Sequence, residues 1–296
     1  MRLAISYEKL SRIARFSLAL IAFAWPVVAV AQSTPPLVYV VTSQQFGTLE
    51  LATGLFHPIG SGTFPNALAN LVWKNGSLLS LDTASGDLVE INPATGDIKH
   101  IGPTGMGVCG AGSCAFALGE ARGTLYSTDL SNNIYSVNPY TGAATLLRAT
   151  GIPADPHTPL TFTCDGGTFC LCDEGLYNMG GKLYATFDSF AIDPTRTLPN
   201  RPYEYVPPGL YQIDPSTGAA TFVAPTDWQL TALLDVDGKF YAFRGVIDGF
   251  NFDFGFPVAH TELVTLDLKT GQTNKLIDID PSIGPIFGAA PVRNPH

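Results

Sequence analysis

Short apolar runs recur down the chain, each bounded by residues that turn the backbone. Residues 66–104 hold one complete unit. Ala67-Leu68-Ala69-Asn70-Leu71-Val72-Trp73 predicts an inner strand, and Lys74-Asn75-Gly76 a tight hairpin turn of the Asn-Gly kind. Residues 77–82 predict a second strand, and the alternating Asp87-Leu88-Val89-Glu90-Ile91 a third. Asn92-Pro93-Ala94-Thr95-Gly96 turns the chain into an edge strand, Ile98-Lys99-His100-Ile101. Proline presets the backbone of that turn, and glycine permits the positive φ at its end.

The turn phrase repeats. It reads Leu51-Ala52-Thr53-Gly54, Ile91 to Gly96, Val137-Asn138-Pro139-Tyr140-Thr141-Gly142, Ile213-Asp214-Pro215-Ser216-Thr217-Gly218 and Leu266-Asp267-Leu268-Lys269-Thr270-Gly271. A strand phrase precedes most copies: residues 78–82, Leu125-Tyr126-Ser127-Thr128-Asp129, Leu183-Tyr184-Ala185-Thr186-Phe187 and Phe240-Tyr241-Ala242-Phe243. Strand-built self-similarity at roughly 40 to 50 residues is the mark of propeller blades. The prediction is an all-β, five-bladed β-propeller of four-stranded antiparallel blades. The first unit begins at Leu37-Val38-Tyr39-Val40-Val41 with no inner strand before it, while Ile286-Phe287-Gly288-Ala289-Ala290-Pro291 is left over at the other end. Together these terminal strands close one blade and remove an open sheet edge. The Asp and Asn residues of the turn phrase are expected to be structural, although they look like ligands.

This repeat grammar resembles that of secreted bacterial propellers with YVTN and NHL-like repeats. The resemblance covers about residues 37–292 in repeat style only. It implies a propeller with a ligand face and does not imply a reaction.

Charge and the first residues place the chain in a compartment. A basic stretch ending at Arg15 runs into residues 16–25, an apolar segment, then Pro26, and Ala29-Val30-Ala31 satisfies the small-residue rule for a cleavage site before Gln32. Residues 1–31 therefore read as a signal peptide, 32–36 as a short linker, 37–292 as the propeller domain and 293–296 as a C-terminal tail. The apolar segment is short for a bilayer crossing and is interrupted by Pro26. Cleavage would leave 12 basic and 24 acidic residues, a net charge of −12, and no membrane span. Without a basic patch, nucleic acid is excluded as a partner class. The expected location is secreted or periplasmic.

An oxidising compartment suits the cysteines. Cys109, Cys114, Cys164, Cys170 and Cys172 all fall in two irregular stretches. Cys109 and Cys114 read as one stapled loop, and Cys164 pairs with Cys170 or Cys172. The odd number leaves a free thiol, a cross-loop pair or an intermolecular link. A metal site is the alternative, weakened by the lack of paired Cys-x-x-Cys motifs.

Insertions pick out one face. In a four-stranded blade the connections between the second and third strands open on the same side as those between blades. The longest such stretches are residues 103–115, 150–173, 188–208 and 245–260. Rigid scaffolds carry function on loops of this kind. Titratable groups there are Asp155, His157, Asp165, Asp173, Glu174, Asp227, Asp248, Asp253 and His260. His157, His260, Asp253 and Tyr203 are the candidate ligand contacts. His57 and His100 lie beside outer strands and are expected to be bystanders. No spacing of established catalytic or metal-binding specificity is present, so the sequence assigns no cofactor, metal or catalytic residue. The function expected is an exported module that binds a small molecule, a saccharide or a protein through its insertion-rich face. The alternative is a metal-assisted hydrolase or lyase acting on a lactone, ester or saccharide at the channel mouth.

Overall fold

Each repeat unit folds as a four-stranded antiparallel meander, and five of them make a β-propeller. The computed structural model describes residues 36–42, 45–61, 66–106, 115–129, 133–150, 175–192, 203–226, 229–251 and 256–293. All five cysteines, His157 and Asp253 lie outside them. Blade 1 contains β1 (Leu37–Thr42), β2 (Phe46–Glu50) and β3 (Phe56–Pro58). Blade 2 is β4 (Leu68–Lys74), β5 (Ser77–Asp82), β6 (Asp87–Ile91) and β7 (Ile98–Pro103). Blade 3 is β8 (Ala115–Ala121), β9 (Thr124–Asp129), β10 (Asn133–Val137) and β11 (Ala144–Ala149). Blade 4 is β12 (Gly175–Met179), β13 (Lys182–Ile192), β14 (Tyr203–Ile213) and β15 (Ala220–Pro225). Blade 5 is β16 (Gln229–Val236), β17 (Lys239–Asn251), β18 (Phe256–Leu266) and β19 (Thr273–Asp278). A 3-10 turn at Pro281–Ile283 then leads to β20 (Ile286–Pro291), which pairs antiparallel with β1 as the innermost strand of blade 1. The innermost strands touch in a closed ring, β20 to β4, β8, β12, β16 and back to β20.

Burial explains the pattern of apolar runs. Inner and second strands are sandwiched between neighbouring blades, so β4 and β5 are buried on both faces and read as nearly continuous apolar segments. Outer strands such as β11 and β19 face solvent, and β11 does so even at Leu146 and Leu147. The core is accordingly a set of wedges between blades. Val41, Phe46, Leu68 and Leu78 join blades 1 and 2, whereas Leu79, Leu88, Leu118 and Leu125 join blades 2 and 3. Burying each such side chain stabilises the fold by about 1.5–3 kcal/mol.

Four inner hairpins close with two-residue turns in which both residues have positive φ: Asn75-Gly76, Arg122-Gly123, Gly180-Gly181 and Asp237-Gly238. This is the type I′ turn, whose twist matches that of the flanking strands.

The Thr-Gly phrase has two tasks. Within its own blade it is a turn held by the Asp or Asn side chain: Ala94 N–H donates to Asn92 Oδ1 (2.9 Å), Tyr140 to Asn138 (2.9 Å), Ser216 to Asp214 (2.9 Å) and Lys269 to Asp267 (2.8 Å). Between blades, the same turn docks on the outer strands of the preceding blade. Gly96 faces the Ile59 carbonyl, Gly142 the backbone of Gly102, and Gly271 the Pro225 carbonyl. Strand twist of about 20–25° per neighbour swings each outer strand away from its inner one, so that its end reaches the next blade. There Ala144 N–H donates to Thr104 O (3.0 Å) and Ala220 N–H to Thr150 O (2.8 Å).

The turn carboxylates carry a pH signature. Hydrogen bonds from the Ser216 hydroxyl and backbone hold Asp214 below the usual carboxylate range, and the Lys269 N–H does the same for Asp267. A depressed folded pKa adds stability that is fully present above the unfolded value, about 3.9 for Asp, and is lost as pH falls through the folded value. Blades 2 and 3 use Asn92 and Asn138 at this position. Asp214→Asn combined with Asp267→Asn is therefore expected to keep the neutral-pH melting temperature while flattening its decline below about pH 4. Thermal unfolding from neutral to strongly acidic pH checks this, and an unchanged acid slope would locate the sensitivity elsewhere.

Candidate ligand site at the short-turn mouth of the channel

The inner hairpins determine what lines the channel. In each, the residues flanking the two-residue turn pair directly: Lys74 with Ser77, Ala121 with Thr124, Met179 with Lys182 and Val236 with Lys239. Such a flanking pair exchanges both hydrogen bonds, so the preceding residue points its own N–H and C=O away from the second strand, into the lumen. Those preceding residues are Trp73, Glu120, Asn178 and Asp235; in blade 1 Pro291 takes the place. Together with Leu71, Leu118, Leu176, Leu233 and Ala289 below them, they surround a cavity of about 250 Å³ at the end of the channel where the short turns lie.

Turn amides hold the polar side chains of this ring in place. Gly123 N–H donates to Glu120 Oε1 (2.6 Å), Gly181 N–H to Asn178 Oδ1 (3.0 Å) and Gly238 N–H to Asp235 Oδ1 (2.8 Å). Gly180 N–H reaches across from blade 4 to Asp235 Oδ2 (2.9 Å), and Asn178 Nδ2 spans from blade 4 to Glu120 Oε2 (3.5 Å) in blade 3. Lys74 bonds the Gly123 carbonyl and lies 4.0 Å from Glu120. The Trp73 indole N–H donates to the Pro291 carbonyl (2.8 Å), and Tyr39 meets the indole edge-on at 6.2 Å. Arg293 sets its guanidinium carbon 5.8 Å from the Trp73 ring centre. The ring is thus preorganised by strands and turns, with acceptors and an aromatic face.

None of these side chains was a candidate site residue in the sequence. A signal was available: Glu120, Asn178 and Asp235 each lie three residues before the glycine at the second position of their hairpin turn, as Trp73 lies before Gly76. Aligning the repeats on those glycines brings the ring into register.

On the opposite side, the insertions at residues 188–208 and 245–260 begin as strand extensions. β13 and β14 continue their pairing to Ile192 and Tyr203, and β17 and β18 to Asn251 and Phe256. The backbone of Tyr203 starts β14. His260 sits in β18 opposite Val246, in an ion cluster on the outer part of blade 5. Its Nε2 lies 3.4 Å from both Glu262 Oε1 and Asp278 Oδ1. The Lys275 ammonium bridges the same two carboxylates at 2.7 and 2.6 Å, and Arg244 Nε meets Glu262 Oε2 at 2.5 Å. Burial alone would raise the Glu262 pKa, but hydrogen bonds from Lys275 and Arg244 bring it below its usual range. His260, Glu262 and Asp278 are spaced as a metal-ligand set would be, yet the cation they share is Lys275. His57 pairs with Glu50 and His100 with Asp87 on outer strands, away from the channel.

No family model matches the chain, and no curated protein matches it in sequence. Among solved structures it is similar to one titled a nidogen/laminin complex, with a TM-score of 0.50 and 9% identity over 86% of this chain and 97% of that one. A structural-genomics protein of unknown function from Bacteroides thetaiotaomicron aligns at a TM-score of 0.47 and 13% identity, over 82% of this chain and 55% of that one. At such identities the likeness is one of fold: the chain is a five-bladed β-propeller whose blade 1 is closed by its last strand.

Proposed function

We propose that this protein is an extracytoplasmic, non-catalytic binding module whose small-ligand site is the short-turn mouth of the channel. The observation that carries the reading is the cavity of about 250 Å³ lined by all five blades, with the polar side chains of three of them, Glu120, Asn178 and Asp235, fixed by turn amides. A site of this size lies just under the usual range for drug-sized ligands, about 300–1,000 Å³, and suits a single side chain or small metabolite. The signal-like residues 1–31 and the cysteine pairs proposed above, Cys109 with Cys114 and Cys164 with Cys170 or Cys172, support export.

The insertion side is proposed as a second surface, for a larger partner. Strands of 11 to 13 residues in the β13–β14 and β17–β18 hairpins carry the backbone well beyond the 5- and 6-residue second and third strands of blades 2 and 3. His157, Tyr203, Asp253 and His260 are the contacts proposed for that partner.

A small-molecule screen read by NMR on labelled full-length protein tests the proposal. Hits should shift the indole N–H of Trp73 and the amides of Asn178 and Asp235. Hits that shift only insertion-side signals would move the small-ligand site to that face.

A further inference from the structure

We infer that the short-turn mouth recognises a guanidinium group, such as the arginine side chain of a peptide, and that Arg293 of the chain itself competes for it. The inference rests on the reading of this mouth as a ligand site and names the chemistry of its ligand.

Three features converge on a planar cation. By the hairpin register the lumen presents the carbonyls of Trp73, Glu120, Asn178 and Asp235, and the acidic residues Glu120 and Asp235 are part of the cavity lining. Asp235 has both oxygens bonded to backbone N–H groups, and neither Lys nor Arg forms a salt bridge with it among the described residues. It is therefore an oriented negative charge with lone pairs left over. The second feature is the indole. Guanidinium groups stack on tryptophan faces more readily than ammonium groups do, because they are flat and weakly hydrated. The third is Arg293, which already places a guanidinium at this rim, over the Trp73 ring. It lies two residues beyond the end of β20, is solvent-exposed, and meets the mouth through that cation–π contact. The net charge of −9 for the whole chain favours the approach of cations over anions.

A guanidinium entering the mouth would direct its N–H groups to Asp235 and the lumen carbonyls and lay one face on Trp73.

The test uses N-acetyl-arginine amide and its uncharged analogue N-acetyl-citrulline amide, titrated into full-length protein and the Arg293→Ala variant. Binding is followed calorimetrically and by the NMR signals of Trp73, Asn178 and Asp235. The arginine amide should bind Arg293→Ala about threefold more tightly than wild type, the worth of one exposed cation–π contact. The citrulline amide should bind at least about tenfold more weakly than the arginine amide, since its hydrogen bonds are no longer charge-assisted. Equal arginine affinity for both proteins would overturn the competition by Arg293. Citrulline binding as tightly as arginine at the mouth would overturn the cation while leaving the ligand site standing. No shift at mouth residues with either probe, combined with no mouth-directed hit in the small-molecule screen, would remove the site and the inference together.

Discussion

Truncation of the chain after Gly284 is expected to abolish the cooperative fold, although it removes a single ordered strand. β20 is last in sequence but innermost in blade 1, where it pairs with β1 from Val38–Pro291 to Thr42–Ile286. Ile286, Ala289 and Ala290 are buried in the wedges on either side of blade 1. Gly288 lies so close to β4 that a side-chain carbon there would sit 2.6 Å from the Asn70 Cα. Without β20 the ring of inner strands opens between β16 and β4, and the fully buried Val38, Val40 and Val41 lose cover. Exposing several aliphatic side chains at about 1.5–3 kcal/mol each, together with a hydrogen-bonded ladder, matches the whole stability of a typical domain, about 5–15 kcal/mol. Near-UV circular dichroism and thermal melting should show no native signal in the truncated protein. A peptide spanning residues 285–293 should restore it by strand addition. A truncated chain that melts cooperatively at the wild-type temperature would mean that the other four blades hold the ring unaided.

Much of this architecture was legible because it is written in local chemistry. Asn75-Gly76 announces a two-residue turn whatever surrounds it, and Asn92 or Asp214 announces a side-chain-capped turn from its neighbours alone. Counting those turns gave five blades, and the unmatched ends gave the closure through β20 and β1. What local chemistry does not reveal is the tertiary partner. Gly142 is a turn glycine in the sequence, but its contact with Gly102, 40 positions earlier, exists only once two blades pack. The mouth ring was hidden for the same reason. Glu120, Asn178 and Asp235 are isolated polar residues in apolar strands, separated by more than 50 positions, and only the closed ring gathers them. His260 was found as a polar residue on an inserted hairpin, but its engagement by Glu262 and Asp278 depends on the alignment of β18 with β19. Residues 188–208 read as an insertion between strands, whereas the Phe190–Tyr205 and Ile192–Tyr203 pairs continue the ladder into it, since backbone pairing tolerates a wide range of side chains at the end of a hairpin.

The second large effect separates the two tasks of the Thr-Gly turn. Gly142 and Gly76 both have positive φ, +79° and +85°, so alanine at either position pays the left-handed penalty of about 1–2 kcal/mol. Around Gly76 a methyl group would meet nothing within 4 Å. At Gly142 it would lie 2.6 Å from the Gly102 carbonyl carbon and 3.2 Å from its Cα, against the carbonyl oxygen of an adjacent blade. Both of those are backbone atoms in a paired strand, so relief requires blades 2 and 3 to move apart, and overpacking of this kind adds about 1–3 kcal/mol. Gly142→Ala is therefore expected to cost about 4 kcal/mol and Gly76→Ala about 1.5 kcal/mol, measured by chemical denaturation. The separation should also strain the Ala144–Thr104 hydrogen bond, so the Ala144 amide should exchange with solvent faster in Gly142→Ala and at the wild-type rate in Gly76→Ala. Equal losses for the two variants would reduce the repeat to a turn signal. A larger loss at Gly142, with faster exchange at Ala144, would identify the glycine of each repeat as the point where one blade seats on the next.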